Sequence, residues 1–255
     1  MVEFSPDGDW RHLCVDMQRV FAEDTPWHVE WMDRISEAVE AVVEADPARC
    51  IFTCFVPPET VAGAPGAWRA YYEKWPMMTR EALAPELIEI IPSLSRYSPP
   101  ARIFRKSVYS PWQHGGLADI LRKEQVSTVV ISGGETDVCV LATVLGAIDQ
   151  GFHVILAEDA LCSGTDATHD AALELLSGRF STQLQVCTTE MLLAALPSRA
   201  APQFKMPWAD QSPSGSAIFR CCLARVSAGV TFAAAVISLF FQPETTSPSP
   251  FIMAS

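Results

Sequence analysis

Asparagine is missing from all 255 residues, so the chain holds no acceptor for N-linked glycans. Positive charge is scarce: 18 Lys and Arg face 30 Asp and Glu, a net of −12. Nucleic acids and anionic membranes call for a basic face, and this balance argues against both as partners. The eight cysteines form no Cys-x-x-Cys pair and no zinc-type spacing, so reduced thiols are expected. No histidine occurs between His28 and His114. The first ten residues contain Glu3, Asp7 and Asp9 and no apolar core, so a secretory leader is not expected and a cytoplasmic location is.

What remains is 49% hydrophobic, enough for one domain with a full core. Strand-like runs fall near 12–15, 50–55, 102–104, 128–132, 153–157 and 183–187. Helical spacing falls near 33–45, 116–124, 139–150, 166–177 and 190–196. Alternation of this kind predicts a three-layer α/β/α sandwich around a mainly parallel six-stranded sheet, with the site at the carboxyl ends of the strands.

One junction stands out. The apolar run Val129-Val130-Ile131 enters Ser132-Gly133-Gly134-Glu135-Thr136-Asp137 and delivers Cys139 to a helix that Gly151 should stop. Backbone N–H groups at a helix start favour a thiolate and can hold an oxyanion. The run GGETDVCV, with ATVLGAIDQGFHVILAEDAL after it, resembles the signature of the isochorismatase-like cysteine hydrolases. The resemblance extends over about residues 10–196.

That resemblance implies a Rossmann-like fold and an Asp-Lys-Cys triad. The aspartate maps to Asp16, in His12-Leu13-Cys14-Val15-Asp16-Met17-Gln18-Arg19-Val20-Phe21, and the lysine to Lys106, after Arg102-Ile103-Phe104-Arg105. It also implies an oxyanion hole from the N–H groups of Glu135 and Cys139, with a cis peptide at Gly134-Glu135. The residue types suit the chemistry. A thiol with an ordinary pKa of about 8.5 needs a base to become a nucleophile. Asp16 would take the proton, and Lys106 would keep Asp16 ionised and favour a thiolate. An oxyanion-hole donor is worth about 3 kcal/mol in comparable hydrolases. The reaction expected is C–N hydrolysis of a small amide, carbamoyl or ureido compound through a thioester. Alternatives left open are a non-catalytic or redox-responsive protein on the same fold and an isochorismate-type hydrolase, a branch that works without the cysteine.

Between the second and third strands, Trp68, Tyr71, Tyr72 and Trp75 share one helical face. Packing on the core or on another subunit explains such a stripe, and a wall over the substrate is the sharper reading. Phe21, Trp112, Trp68 and Tyr72 are the substrate-binding candidates. No arginine is marked as a carboxylate ligand; Arg80, Arg102 and Arg105 are candidates only. Nicotinamidases of this family carry an Asp-x-His metal pair after the second strand. Here Thr53-Cys54-Phe55-Val56-Pro57-Pro58-Glu59 stands there, so no metal and no other cofactor is expected. His169 reads as a packing or capping residue near the subunit surface. The family's habits imply a homodimer or homotetramer acting on a small molecule.

The hydrolase domain is expected over residues 1–197, and residues 198–255 do not resemble the family. They include an apolar segment at 226–241, short of the ~20 residues of a membrane span, preceded by Cys221 and Cys222 as weak acylation candidates. An extension that docks on the surface or folds poorly is expected ahead of a membrane anchor.

Overall fold

The structure is a computed structural model, and it describes residues 2–4, 9–113 and 116–196. The extension 198–255, its apolar segment and the boundary at 197 lie outside the described residues. Six strands form one sheet: β1 (Asp9–Val15), β2 (Cys50–Phe55), β3 (Arg102–Lys106), β4 (Val126–Gly134), β5 (His153–Cys162) and β6 (Leu184–Cys187). Every pairing is parallel and the order is β3-β2-β1-β4-β5-β6. The chain winds outward from β1 to one edge, returns to β4 and winds to the other edge. The crevice between the carboxyl ends of β1 and β4 is therefore the switch point where doubly wound sheets bind ligands.

The period-two alternation of strand side chains separates two cores. Cys14, Phe52, Val130 and Ile155 face one side, against α2 (Met32–Ala45). Leu13, Val15, Ile51, Val129, Ile131, Val154 and Leu156 face the other, against α5 (Gly116–Lys123), α6 (Leu141–Asp149) and α7 (Asp166–Arg179). Helix α2 buries Ile35, Val39, Val42 and Val43, an i, i+4, i+7, i+8 stripe. Asp46-Pro47 ends it, since proline cannot continue the ladder. Thr165 caps α7 by accepting from Thr168 N, and Thr188 caps α8 (Thr189–Ala195) by accepting from Met191 N. Gly151, at φ +86°, closes α6 with bonds from Gly151 N to Ile148 O and Phe152 N to Ala147 O.

Several local expectations need correction. The helix carrying Cys139 does not begin as an α-helix: Thr136–Val140 forms one π-helical turn ahead of α6. Strand β5 does not end at Glu158-Asp159 but runs on to Cys162. The pairing jumps from Ile131↔Leu156 to Gly133↔Leu161, which turns the two acids outward. Asp159 instead holds the start of α8, accepting from Thr189 N at 2.6 Å and Thr189 Oγ1 at 2.8 Å. In the aromatic segment α3 (Ala67–Lys74) stops one residue short of Trp75, which caps it. Short helices α1 (Arg19–Ala22) and α4 (Pro92–Ser95) were not expected from the pattern. No helix among the described residues is long and apolar enough to cross a membrane.

Candidate active site

Asp16 leaves β1 in the left-handed region, at φ +50°, which aspartate tolerates better than most residues. Its N–H donates to Thr53 O at 3.1 Å, and its carboxylate Oδ1 accepts from Thr53 Oγ1 at 2.8 Å. The other oxygen, Oδ2, takes Lys106 Nζ at 2.6 Å. Lys106 closes β3, two strands away, and both side chains are buried. Its ammonium also donates to Tyr109 O at 3.0 Å and Val108 O at 3.3 Å, so all three of its donors are used. Gln18 holds the frame from one turn further on. Its Nε2 donates to Phe55 O at 3.0 Å and Ile88 O at 2.6 Å, and its Oε1 accepts from Phe55 N at 2.6 Å. Local pattern carries no sign of this role beyond the motif in which Gln18 sits.

Gly133 permits the approach of β4 to β1. It pairs with Val15 at φ +109°, and a Cβ there would lie 2.2 Å from Val15 O. The peptide between Gly134 and Glu135 is cis. Glu135 O then accepts from both Val138 N at 3.1 Å and Val140 N at 2.9 Å. Thr143 Oγ1 donates to Cys139 O at 2.7 Å. Thr136 Oγ1 donates to Cys162 O and lies 2.9 Å from His169 Nδ1. His169 is buried beside Trp31, so it packs in this chain's interior and not at the surface.

Hydrogen-bonding and charge interactions with the Cys139 thiol run to both Asp16 and Lys106. Burial pushes that thiol well above its ordinary value, and the Asp16 charge pushes it further while Lys106 opposes. Burial and the Asp16 charge thus both disfavour the thiolate, and Lys106 favours it. For Lys106, burial works against the charge, but Asp16 and Cys139 prevail and the net direction is upward. Glu135 is raised to about 7 by burial, then by Asp137 and Asp16, with Lys106 opposing.

Cys139 opens into a cavity of about 200 Å³ with Glu135 beside it. Phe21, Trp27, Phe55, Trp68, Tyr71 and Tyr109 form most of the wall. A wider hollow of about 700 Å³ shares Trp68, Tyr71 and Tyr109 and continues past Ser110 and Gln113. Phe21 and Trp68 thus face the cysteine, but two other candidates do not. Trp112 lies in the opposite core, donates from Nε1 to Thr143 O at 2.8 Å, stacks on Phe152 and fills the space left by Gly146. Tyr72 is turned into the core under the wall, and its neighbour Tyr71 takes the lining position. Arg80 pairs with Glu59 and Arg102 with Glu124; neither they nor Arg105 line the cavity.

The end of β2 and the residues after it do not fit a metal: Thr53 is bonded to Asp16, Cys54 is buried in the core, Val56, Pro57 and Pro58 carry no donor side chain, and Glu59 pairs with Arg80. Among the described residues no group of three or more His, Cys, Asp or Glu is placed to hold an ion.

The switch point of the doubly wound sheet thus carries an Asp-Lys pair and a cysteine. A family model, the Isochorismatase domain, matches residues 12–191, and the chain belongs to this isochorismatase-like hydrolase family. Among known proteins, Isochorismatase family protein 1A of Dictyostelium discoideum is 30% identical over 93 residues, 35% of this chain and 45% of that protein. Isochorismatase domain-containing protein 2 of Rattus norvegicus is 35% identical over 83 residues, 32% of this chain and 38% of that protein. The chain spans less than half the length of these curated relatives. A cysteine hydrolase from Pseudomonas syringae pv. phaseolicola 1448A superposes with a TM-score of 0.64 at 23% identity, covering 73% of this chain and 91% of that one. Pyrazinamidase of Pyrococcus horikoshii, in complex with zinc, gives 0.56 at 25% identity over 72% of this chain and 99% of that one.

Proposed function

We propose that the chain hydrolyses a C–N bond of a small amide, carbamoyl or ureido compound without a metal, with Cys139 as nucleophile, Asp16 as acid and base and Lys106 as electrostatic partner. The observation that carries this is the buried Lys106-Asp16 pair at 2.6 Å in contact with a cysteine that opens into a cavity. As the sulfur attacks the carbonyl, its proton passes to Asp16, the S–C bond forms and the carbonyl electron pair moves to oxygen. The N–H groups of Glu135 and Cys139 receive that oxyanion. Collapse breaks the C–N bond while Asp16 returns the proton to nitrogen. Water, deprotonated by Asp16, then attacks the thioester, and the departing sulfur recovers a proton from Asp16. Because burial and Asp16 raise the Cys139 thiol, proton transfer to Asp16 accompanies attack. The same upward shift speaks against a redox sensor, which needs a ready thiolate.

The test is amine or ammonia release over a panel of small amides, ureido acids and carbamoyl compounds, with mass spectrometry of the protein. Turnover by the wild type, an adduct on Cys139 and silence from Cys139→Ser are expected. Turnover that survives Cys139→Ser would overturn the assignment. We place the domain's end at residue 197, just after α8 buries Leu192, so a chain ending at Leu196 is expected to fold and act as the full chain does. A homo-oligomer and a cytoplasmic location complete the proposal, and cross-linking at micromolar concentration checks the first.

A further inference from the structure

Among the described residues neither lining holds a lysine or arginine, and the inner one has His28 as its basic side chain. The lysine beneath the site, Lys106, already donates to Asp16 and two carbonyls and interacts with the Cys139 thiol. What the inner cavity does present is a carboxyl group, Glu135, among ring faces. The Glu135 charge acts on the phenols of Tyr71 and Tyr109 and on Cys139, so it bears on the space between them. None of the salt bridges among the described residues involves it.

The rings form a continuous belt. Trp68 meets Tyr109 at 4.9 Å and Tyr71 at 5.5 Å between centroids, and Trp27 meets Tyr71 at 6.1 Å. Tryptophan and tyrosine faces attract cations by their quadrupole, and most strongly where water is excluded. One cation-ring contact already exists at the floor, with Lys106 Nζ 5.5 Å from the Phe55 centroid.

We infer that the compound hydrolysed carries a positive charge, an ammonium or quaternary ammonium group seated between Trp27, Trp68, Tyr71 and Tyr109 against the Glu135 carboxylate, with its scissile carbonyl at Cys139. The inference rests on the proposed reading of Cys139 as the nucleophile. It narrows the substrates to cationic amides and sets aside ureido and carbamoyl acids. Their carboxylates would meet the Glu135 charge with no lysine or arginine in the described lining to receive them, and with His28 as its one basic side chain. Burial, then Asp137 and Asp16, raise the Glu135 pKa against Lys106, and a cation seated in the cavity would oppose that rise.

Calorimetric titration of the full chain tests this with three probes of similar shape. They are choline, neohexanol (its isostere with carbon in place of the quaternary nitrogen) and the anion tert-butylacetate. Choline is expected to bind about tenfold tighter than neohexanol, with the anion weakest, and to protect Cys139 from iodoacetamide. Glu135→Gln should bring choline down to its isostere. Equal affinities in the wild type, preference for the anion, no binding of choline, or binding that leaves Cys139 unprotected would each overturn the inference. Titration makes and breaks no bonds. A choline preference in a protein inert toward every amide would therefore sink the hydrolase reading while keeping the cation site, and turnover of neutral or anionic amides alone would do the reverse.

Discussion

β1 and β3 carry opposite charges at both of their ends, and the two ends behave differently. Where the strands begin, Asp9 pairs with Arg11 at 2.7 Å and with Arg49, while Glu124 takes Arg11 at 2.9 Å and Arg102 at 2.5 Å. These side chains are partly open to solvent, Arg102 by 38% and Asp9 by 35%. Where the strands finish, Asp16 and Lys106 meet at 2.6 Å with 2% and 0% of their side chains exposed. The exposed network is screened and shares its charges among several partners, so each pair contributes little. The buried pair loses its hydration, a cost its attraction barely offsets, and a well-packed apolar pair would serve stability as well. Stability alone therefore does not explain Asp16 and Lys106. The proposed chemistry, which needs a carboxylate beside the Cys139 thiol, does.

The largest effects are expected at the buried end. Asp16→Asn and Lys106→Ala should each lower kcat/KM by about a thousandfold. Lys106→Ala should also cost roughly 3–5 kcal/mol in urea denaturation, because it strands Asp16 without a partner. The double change Asp16→Asn with Lys106→Met should regain most of that stability and none of the activity. A double variant as unstable as Lys106→Ala would show that the pair does hold the fold together.

Gly133→Ala should follow, with a loss of about 3 kcal/mol, since the new Cβ would meet Val15 O at 2.2 Å. Its unfolding midpoint and turnover should fall together, as both strand ends that carry the site move apart.

Third comes the titration of Cys139. Its alkylation rate should still be rising above the ordinary thiol range near 9, because burial and Asp16 raise it. Removing the negative charge in Asp16→Asn should lower the midpoint while turnover is lost. A thiol made more reactive in a dead enzyme separates the base from the nucleophile, and an unchanged midpoint would break that separation.

The smallest effect belongs to the exposed end. Arg102→Ala should cost about 0.5–1 kcal/mol at low salt and less at high salt, with turnover unaltered. Glu124 is held below its ordinary value, first by its bond to Arg102. Its contribution is therefore present above the usual carboxylate range and lost as pH falls through the lowered value. Denaturation of wild type and Arg102→Ala should accordingly converge in acid.

Each of the three residues assigned to the triad follows its own strand, and the strands show themselves in short apolar runs bounded by glycine or charge. That is why the six strands and the glycine stop at Gly151 were legible one segment at a time, whereas Asp16 and Lys106 were placed by the family resemblance and not by local pattern. The wall was not legible in that way. Trp68, Tyr71 and Tyr72 share one helix, yet two face the cavity and one the core, and Trp112 lies in the opposite core with Phe152. Aromatic content and helical spacing cannot separate these fates, because packing against distant segments chooses them.

The sequence by itself determined the doubly wound sheet, the strand ends on which an acid, a lysine and a cysteine are carried, and the lack of metal donors after β2. All of these are properties of residues near one another in the chain. Only the tertiary structure decided that burial disfavours the Cys139 thiolate, that Gln18 ties β1 to β2, and that Glu135 shares a cavity with His28 but with no lysine or arginine among its described residues. Those outcomes depend on burial and on distances between groups far apart in the chain, which local pattern does not encode.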